Sequence, residues 1–94
     1  MSDPSAFDRL EQLLEFPVDF PLKIMGRRVD HFAQTISDLV RSHMPEFDPA
    51  TIELRSSTKG TYLSLTVTVR VNSRQQLETL YNEISAHPLV RIVL

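Results

Sequence analysis

Three histidines, His31, His43 and His87, could most directly hold a metal, and their spacing argues against it. A helical zinc site needs two ligands at i and i+4 on one face, or a close pair of unlike ligands, and none of the three has such a neighbour. They read as solvated or helix-end imidazoles. Ser56 and Ser57 offer hydroxyl nucleophiles, but no glycines flank them in the nucleophile-elbow pattern, so they read as turn residues. Cysteine is absent, which removes thiolate catalysis, iron–sulfur clusters and disulfides and accords with a reducing compartment. No set of catalytic, cofactor-binding or metal-binding residues emerges. The candidate contact residues for a ligand or partner are Gly26, Arg27, Arg28 and Asp30 around one strand–helix junction, Ser57, Lys59, Gly60 and Tyr62 around a hairpin, and Arg55 and Arg91 in flanking strands.

Those residues need a scaffold, and 94 residues with a formal net charge of −2 suffice for one domain. At 41% hydrophobic and 23% charged, the composition lies in the ordinary globular range and excludes wholesale disorder. No apolar run approaches the roughly 18 residues that cross a bilayer, and Met1-Ser2-Asp3-Pro4 opens no secretory signal. The expected location is the cytoplasm, away from membranes.

Ser5 is placed to cap a short helix whose stripe is Phe7, Leu10, Leu13 and Leu14, ended by Phe16-Pro17. Val18, Phe20, Leu22 and Ile24 then alternate with Asp19, Pro21, Lys23 and Met25, which predicts a strand ending in a turn at Gly26. From Val29 the period lengthens through Phe32, Ala33, Ile36, Leu39, Val40 and Met44. This predicts a helix stopped by Pro45, with Asp30, Gln34, Ser37, Asp38 and Arg41 on its polar face. Ile52 and Leu54 alternate with Glu53 and Arg55 in a short second strand, and Ser56 to Gly60 reads as a turn. Leu63, Leu65, Val67, Val69 and Val71 against Tyr62, Ser64, Thr66, Thr68 and Arg70 predict a third strand. Ser73 with Gln76 forms a capping box for a second helix, whose stripe is Leu77, Leu80, Tyr81 and Ile84. Leu89 to Leu94 reads as the last strand.

The order β-α-β-β-α-β, with right-handed crossovers, closes most simply as an α+β ferredoxin-like sandwich: a four-stranded antiparallel sheet with both helices on one face. Residues 17–94 form that domain and residues 1–16 an amphipathic N-terminal segment. Alternation places Lys23, Met25, Glu53, Arg55, Tyr62, Ser64, Thr66, Thr68, Arg70, Arg91 and Val93 on the open face. Its four cations oppose one carboxylate. Residues 1 to 19 carry Asp3, Asp8, Glu11, Glu15 and Asp19 against Arg9 alone, which leaves two expectations open for residues 5 to 16: a mobile cover over the open face, displaced when a partner binds, or a frayed, solvated tail.

Acylphosphatases share this sandwich and hold phosphate in a glycine-bearing loop after the first strand. Here Arg27 to Ala33 lack the second glycine and the arginine such a loop needs, so no enzymatic activity is expected. RNA-recognition motifs stack bases on the open sheet face, and Lys59-Gly60 starts like their third strand. Thr61, Leu63 and Thr66 stand where aromatics are required, which leaves Tyr62 alone and makes nucleic acid the weaker alternative. In ACT-type regulatory domains small effectors bind near the turn after the first strand, where Gly26 stands. Gly26 also has a plainer reading, a positive φ or close packing. The expectation is therefore a non-enzymatic regulatory or adaptor module whose partner is a protein or small-molecule effector, with self-association open.

Five segments in register resemble the YbeD-like small bacterial proteins. They are Leu13-Leu14-Glu15-Phe16-Pro17, Lys23-Ile24-Met25-Gly26, Ser57-Thr58-Lys59-Gly60-Thr61-Tyr62, Gln76-Leu77-Glu78-Thr79-Leu80-Tyr81 and Val90-Arg91-Ile92-Val93-Leu94. The resemblance implies the same βαββαβ sandwich, a similarity to ACT-type domains and a bacterial cytoplasmic protein labelled a lipoate regulatory protein. It supplies no catalytic residues. The basic pair Arg27-Arg28 departs from the family's pattern.

Overall fold

The computed structural model describes residues 15–94; the expected N-terminal helix and its docking on the sheet lie outside them. The elements are β1 (Val18–Arg27), α1 (Phe32–His43), a 3-10 turn (Pro49–Thr51), β2 (Glu53–Ser56), β3 (Tyr62–Val71), α2 (Arg74–Ala86) and β4 (Val90–Val93). All strand pairs are antiparallel, in the order β2-β3-β1-β4. This is the expected α+β sandwich. None of the described helices is long and apolar enough to cross a membrane.

The long central ribbon of β1 and β3 sets the frame, its pairs running unbroken from Val18↔Val71 to Arg27↔Tyr62. Pro21 sits inside this central strand, where a missing N–H would ordinarily break a ladder. Lys23 N donates to Leu94 O at 3.1 Å, so the odd-numbered residues of β1 direct their N–H toward β4. At Pro21 that direction points past the stretch that β4 pairs, so no ladder bond is forfeited there.

Alternation along β1 and β3 delivers Leu22, Ile24, Leu65, Val67, Val69 and Val71 to one face, where they are buried against Phe32, Ile36 and Val40 of α1 and Leu77, Leu80 and Ile84 of α2. Each buried aliphatic side chain of this kind contributes about 1.5–3 kcal/mol. The α2 N-terminus is capped as expected, with Ser73 Oγ accepting from Gln76 N at 3.1 Å. Gln76 Oε1 in turn accepts from Asn72 N at 2.7 Å. At the start of the 3-10 turn, Asp48 Oδ1 accepts from Ala50 N at 3.0 Å.

Four expectations need correction. First, β1 continues through Gly26 to Arg27, so Gly26 is a strand residue and not part of a turn. Second, α1 starts at Phe32, after Val29 N closes on Arg27 O at 2.9 Å and Phe32 N on Val29 O at 3.1 Å. Asp30 therefore lies in the loop. Third, Ser37 belongs to the buried side of α1 at 3% exposure, because the helix packs under the sheet over more than its apolar stripe. Fourth, strict alternation fails in β4. The register shifts between Met25 and Gly26, so that Ile24 opposes Val93 while Gly26 opposes Val90. This bulge leaves Val90 and Val93 both in the core and puts Ile92, 50% exposed, on the open face in place of Val93.

Val67 has no exposed surface and sits mid-ribbon. A Val67→Asp substitution buries an unpaired carboxylate, at a cost of several kcal/mol against a total stability on the order of 5–15 kcal/mol. Thermal unfolding followed by circular dichroism should show the cooperative transition lost, and a wild-type melting curve would refute the strand assignment.

Candidate functional site

Gly26 is the point where three segments meet. A Cβ built there would lie 2.4 Å from the Leu89 carbonyl oxygen and 2.5 Å from the Phe32 ring. Of its two plainer readings, close packing is the correct one, since its φ is not in the left-handed region. The absent side chain lets the segment before β4 and the first turn of α1 press against β1. Arg27 N donates to Leu89 O at 3.1 Å and completes the junction.

The β2–β3 hairpin closes on the same end of the sandwich. Ser57 Oγ accepts from the amides of Thr61 and Tyr62, both at 3.1 Å, so its hydroxyl serves the turn. Gly60 has φ 71, a conformation glycine adopts without steric cost. Its bare α-carbon also leaves room for the Arg28 guanidinium, whose Nη1 would lie 2.7 Å from a Cβ there and donates to Gly60 O at 3.5 Å. Arg28 N donates to Thr61 O at 3.4 Å, tying the β1–α1 loop to the hairpin. Arg91 arrives from a third direction, at the β4 bulge.

Together these segments border a shallow, open hollow of about 320 Å³ lined by Arg27, Arg28, Val29, Thr61, Tyr62 and Arg91. No carboxylate among the described residues lines it. The ion pairs among those residues join His43 to Glu83, Arg70 to Asp19 and Arg74 to Glu78, and none involves these three arginines. The amides of Arg27, Arg28 and Val29 already donate to carbonyls. The charged residues of its lining are therefore three arginines, beside the exposed Tyr62.

Four of the ten contact residues expected from sequence, Arg27, Arg28, Tyr62 and Arg91, line this hollow, and Gly60 supports it through Arg28. Gly26 lies beneath as framework. Ser57 is engaged in the turn, Asp30 and Lys59 are exposed outside the lining, and Arg55 stands two pairs further along the sheet, opposite Ser64. Val29 and Thr61 are lining residues that sequence reasoning misses; their adjacency to Arg28 and Gly60 is the available signal. The histidines sit apart, with His43 against Glu83 and His87 Nδ1 accepting from Leu89 N at 3.1 Å.

A larger open groove, about 670 Å³, lies at the other end of β1, where Asp19, His43, Glu46, Asp48 and Arg70 contribute to its walls. Asp19 already pairs with Arg70 at 3.4 Å, and Asp48 caps the 3-10 turn. Volume alone therefore does not make it the better site.

Known proteins share much of this chain. Residues 11–94 match the family model described as protein of unknown function, DUF493. A UPF0250 protein of Janthinobacterium sp. (strain Marseille) is 53% identical over 90 residues, spanning 96% of this chain and 99% of the relative. A UPF0250 protein of Bordetella pertussis is 51% identical over 84 residues, spanning 89% and 92%. The solution structure of protein HP0495 from H. pylori matches with TM-score 0.71 at 16% identity, over 86% of this chain and 85% of that one, a likeness of fold. The ACT domain from the GTP pyrophosphokinase of Chlorobium tepidum matches with TM-score 0.49 at 17% identity, over 82% and 97%.

Gly26→Ala tests the junction under the hollow. The new methyl meets a backbone carbonyl, which cannot swing aside, so β4 or α1 must shift, at about 1–3 kcal/mol. The melting temperature should fall and amide exchange should quicken at Arg27 and Val90. An unchanged melting temperature would show that the junction is not close-packed.

Proposed function

We propose, from the premise that the chain belongs to the DUF493 family, also called UPF0250, that it is a non-enzymatic regulatory or adaptor module acting through the end of the sandwich where the hollow lies. The observation that carries this reading is the convergence of three separate segments, the β1–α1 loop, the β2–β3 hairpin and the β4 bulge, on one hollow lined by cations that pair with no carboxylate among the described residues. A packed frame that carries loops to one place is the ordinary way a ligand-contact surface is positioned. The amides of Arg27, Arg28, Val29, Thr61 and Tyr62 are already engaged, so these five do not form an N–H cradle for a developing oxyanion. The lipoate regulatory label of the YbeD-like proteins directs the search for a partner toward lipoate metabolism.

The protein should be captured from its own cells as the full chain, beside an Arg27→Gln, Arg28→Gln, Arg91→Gln triple variant, with bound metabolites and proteins identified by mass spectrometry. At least one species should be enriched on the wild type and lost on the variant, whose melting curve should match. Identical recoveries from both would overturn the reading.

The alternative, a weak nucleic-acid binder, is favoured by the cations of the open face. Lys23, Arg27, Arg55, Arg70 and Arg91 stand there against Asp19 and Glu53. Phosphate-dominated binding weakens steeply with salt. Titration of labelled single-stranded RNA at two ionic strengths should give no saturable binding at physiological salt. Micromolar binding lost on Arg55→Ala would replace the preferred class.

A further inference from the structure

We infer that the hollow between Arg27, Arg28 and Arg91 is a binding site for the phosphate group of a free small molecule; this deepens the regulatory reading and rests on it. Three like charges brought to one place repel one another, and no carboxylate among the lining residues relieves them. Two of them are held there by structure. Arg28 is seated on Gly60, whose missing side chain makes the space, and Arg91 is displaced from strand alternation by the bulge opposite Gly26.

Ligand charge and shape select phosphate. A carboxylate carries one charge and presents two oxygens in one plane, which a single arginine fork satisfies. A phosphate monoester carries about −1.5 to −2 and presents three oxygens in a pyramid, which arginines on two separate segments can share. Tyr62, 43% exposed at the rim, gives the organic part of the molecule an aromatic surface. The volume of about 320 Å³ fits a small molecule at the lower end of ligand sites.

A polymer fits less well, because the cations beyond the hollow are interspersed with carboxylates. Arg70 pairs with Asp19 at 3.4 Å, and Lys23 and Glu53 stand on either side of Thr66 in adjacent strands. Among the described residues no continuous cationic track crosses the sheet.

The test is a titration of the isotope-labelled full chain by NMR, at matched ionic strength, with inorganic phosphate, pyrophosphate, acetate and a single-stranded oligonucleotide. Phosphate and pyrophosphate should give saturable shifts confined to Arg27 to Val29, Thr61, Tyr62 and Arg91, and acetate none. Arg28→Gln should weaken binding about tenfold, the effect of losing one charged hydrogen bond. Arg91→Gln, on a separate segment, should do the same without touching the hairpin, while Arg70→Gln should change nothing. Three results would overturn the inference: no saturable shifts, acetate binding as tightly as phosphate, or an oligonucleotide that binds across the face unaffected by pyrophosphate. If phosphate fails here while capture from cells still depends on the three arginines, only the ligand class falls and the regulatory reading stands.

Discussion

The close approach permitted by Gly26 is the constraint on which the rest of the structure depends. With the Leu89 carbonyl and the Phe32 ring filling the space a Cβ would take, β1, α1 and the segment before β4 can meet at one point. The β4 bulge falls at the same place, between Met25 and Gly26. Because the bulge rephases β4, Val90 and Val93 both reach the core and Arg91 is released to the surface. Core closure and the position of a surface cation thus follow from one missing side chain.

The sheet is built unequally, and this decides where its surfaces differ. β1 and β3 have ten residues each, whereas β2 and β4 have four. The short outer strands flank the half of the ribbon nearest the hollow. At the other half, β1 and β3 pair only with each other among the described residues, and Pro21 is tolerated there for that reason. Leu54, on β2, directs its side chain to the helix side of the sheet, yet it is 50% exposed because neither helix extends over that edge.

Periodicity makes the fold legible wherever one face is wholly buried. β3 reads without ambiguity because every second residue from Leu63 to Val71 enters the core, and α2 because Ser73 Oγ caps Gln76 N as the pattern requires, although Gln76 Oε1 accepts from Asn72 N, one residue before the cap. The phase of β4 is not legible, since a bulge depends on what the neighbouring strand can accommodate, and that is decided at Gly26. Ser37 is misplaced by its sequence for a related reason: a hydroxyl at a polar-looking position is buried when tertiary packing is broader than the apolar stripe. The site is legible in part. Arg27 and Arg28 announce themselves locally beside a glycine, but Arg91 joins them only through the sheet order, and Thr61 only through the bond it accepts from Arg28 N.

Net charge conceals how the charges are arranged. The chain is slightly acidic at −2, yet among the described residues the two hollows differ in the charges that line them. Near Val18 and Val71 the acids Asp19, Glu46 and Asp48 face Arg70 and His43 around the larger groove, and several are engaged in pairs or caps. Near Arg27 and Tyr62 the charged lining residues are all cations. At physiological ionic strength the Debye length is about 8 Å, and the two ends of a ten-residue strand lie about 30 Å apart. The acidic end therefore does not neutralise the basic one. An anion approaching the molecule experiences the local field of the hollow and not the net charge, which lets an acidic protein present a cationic site.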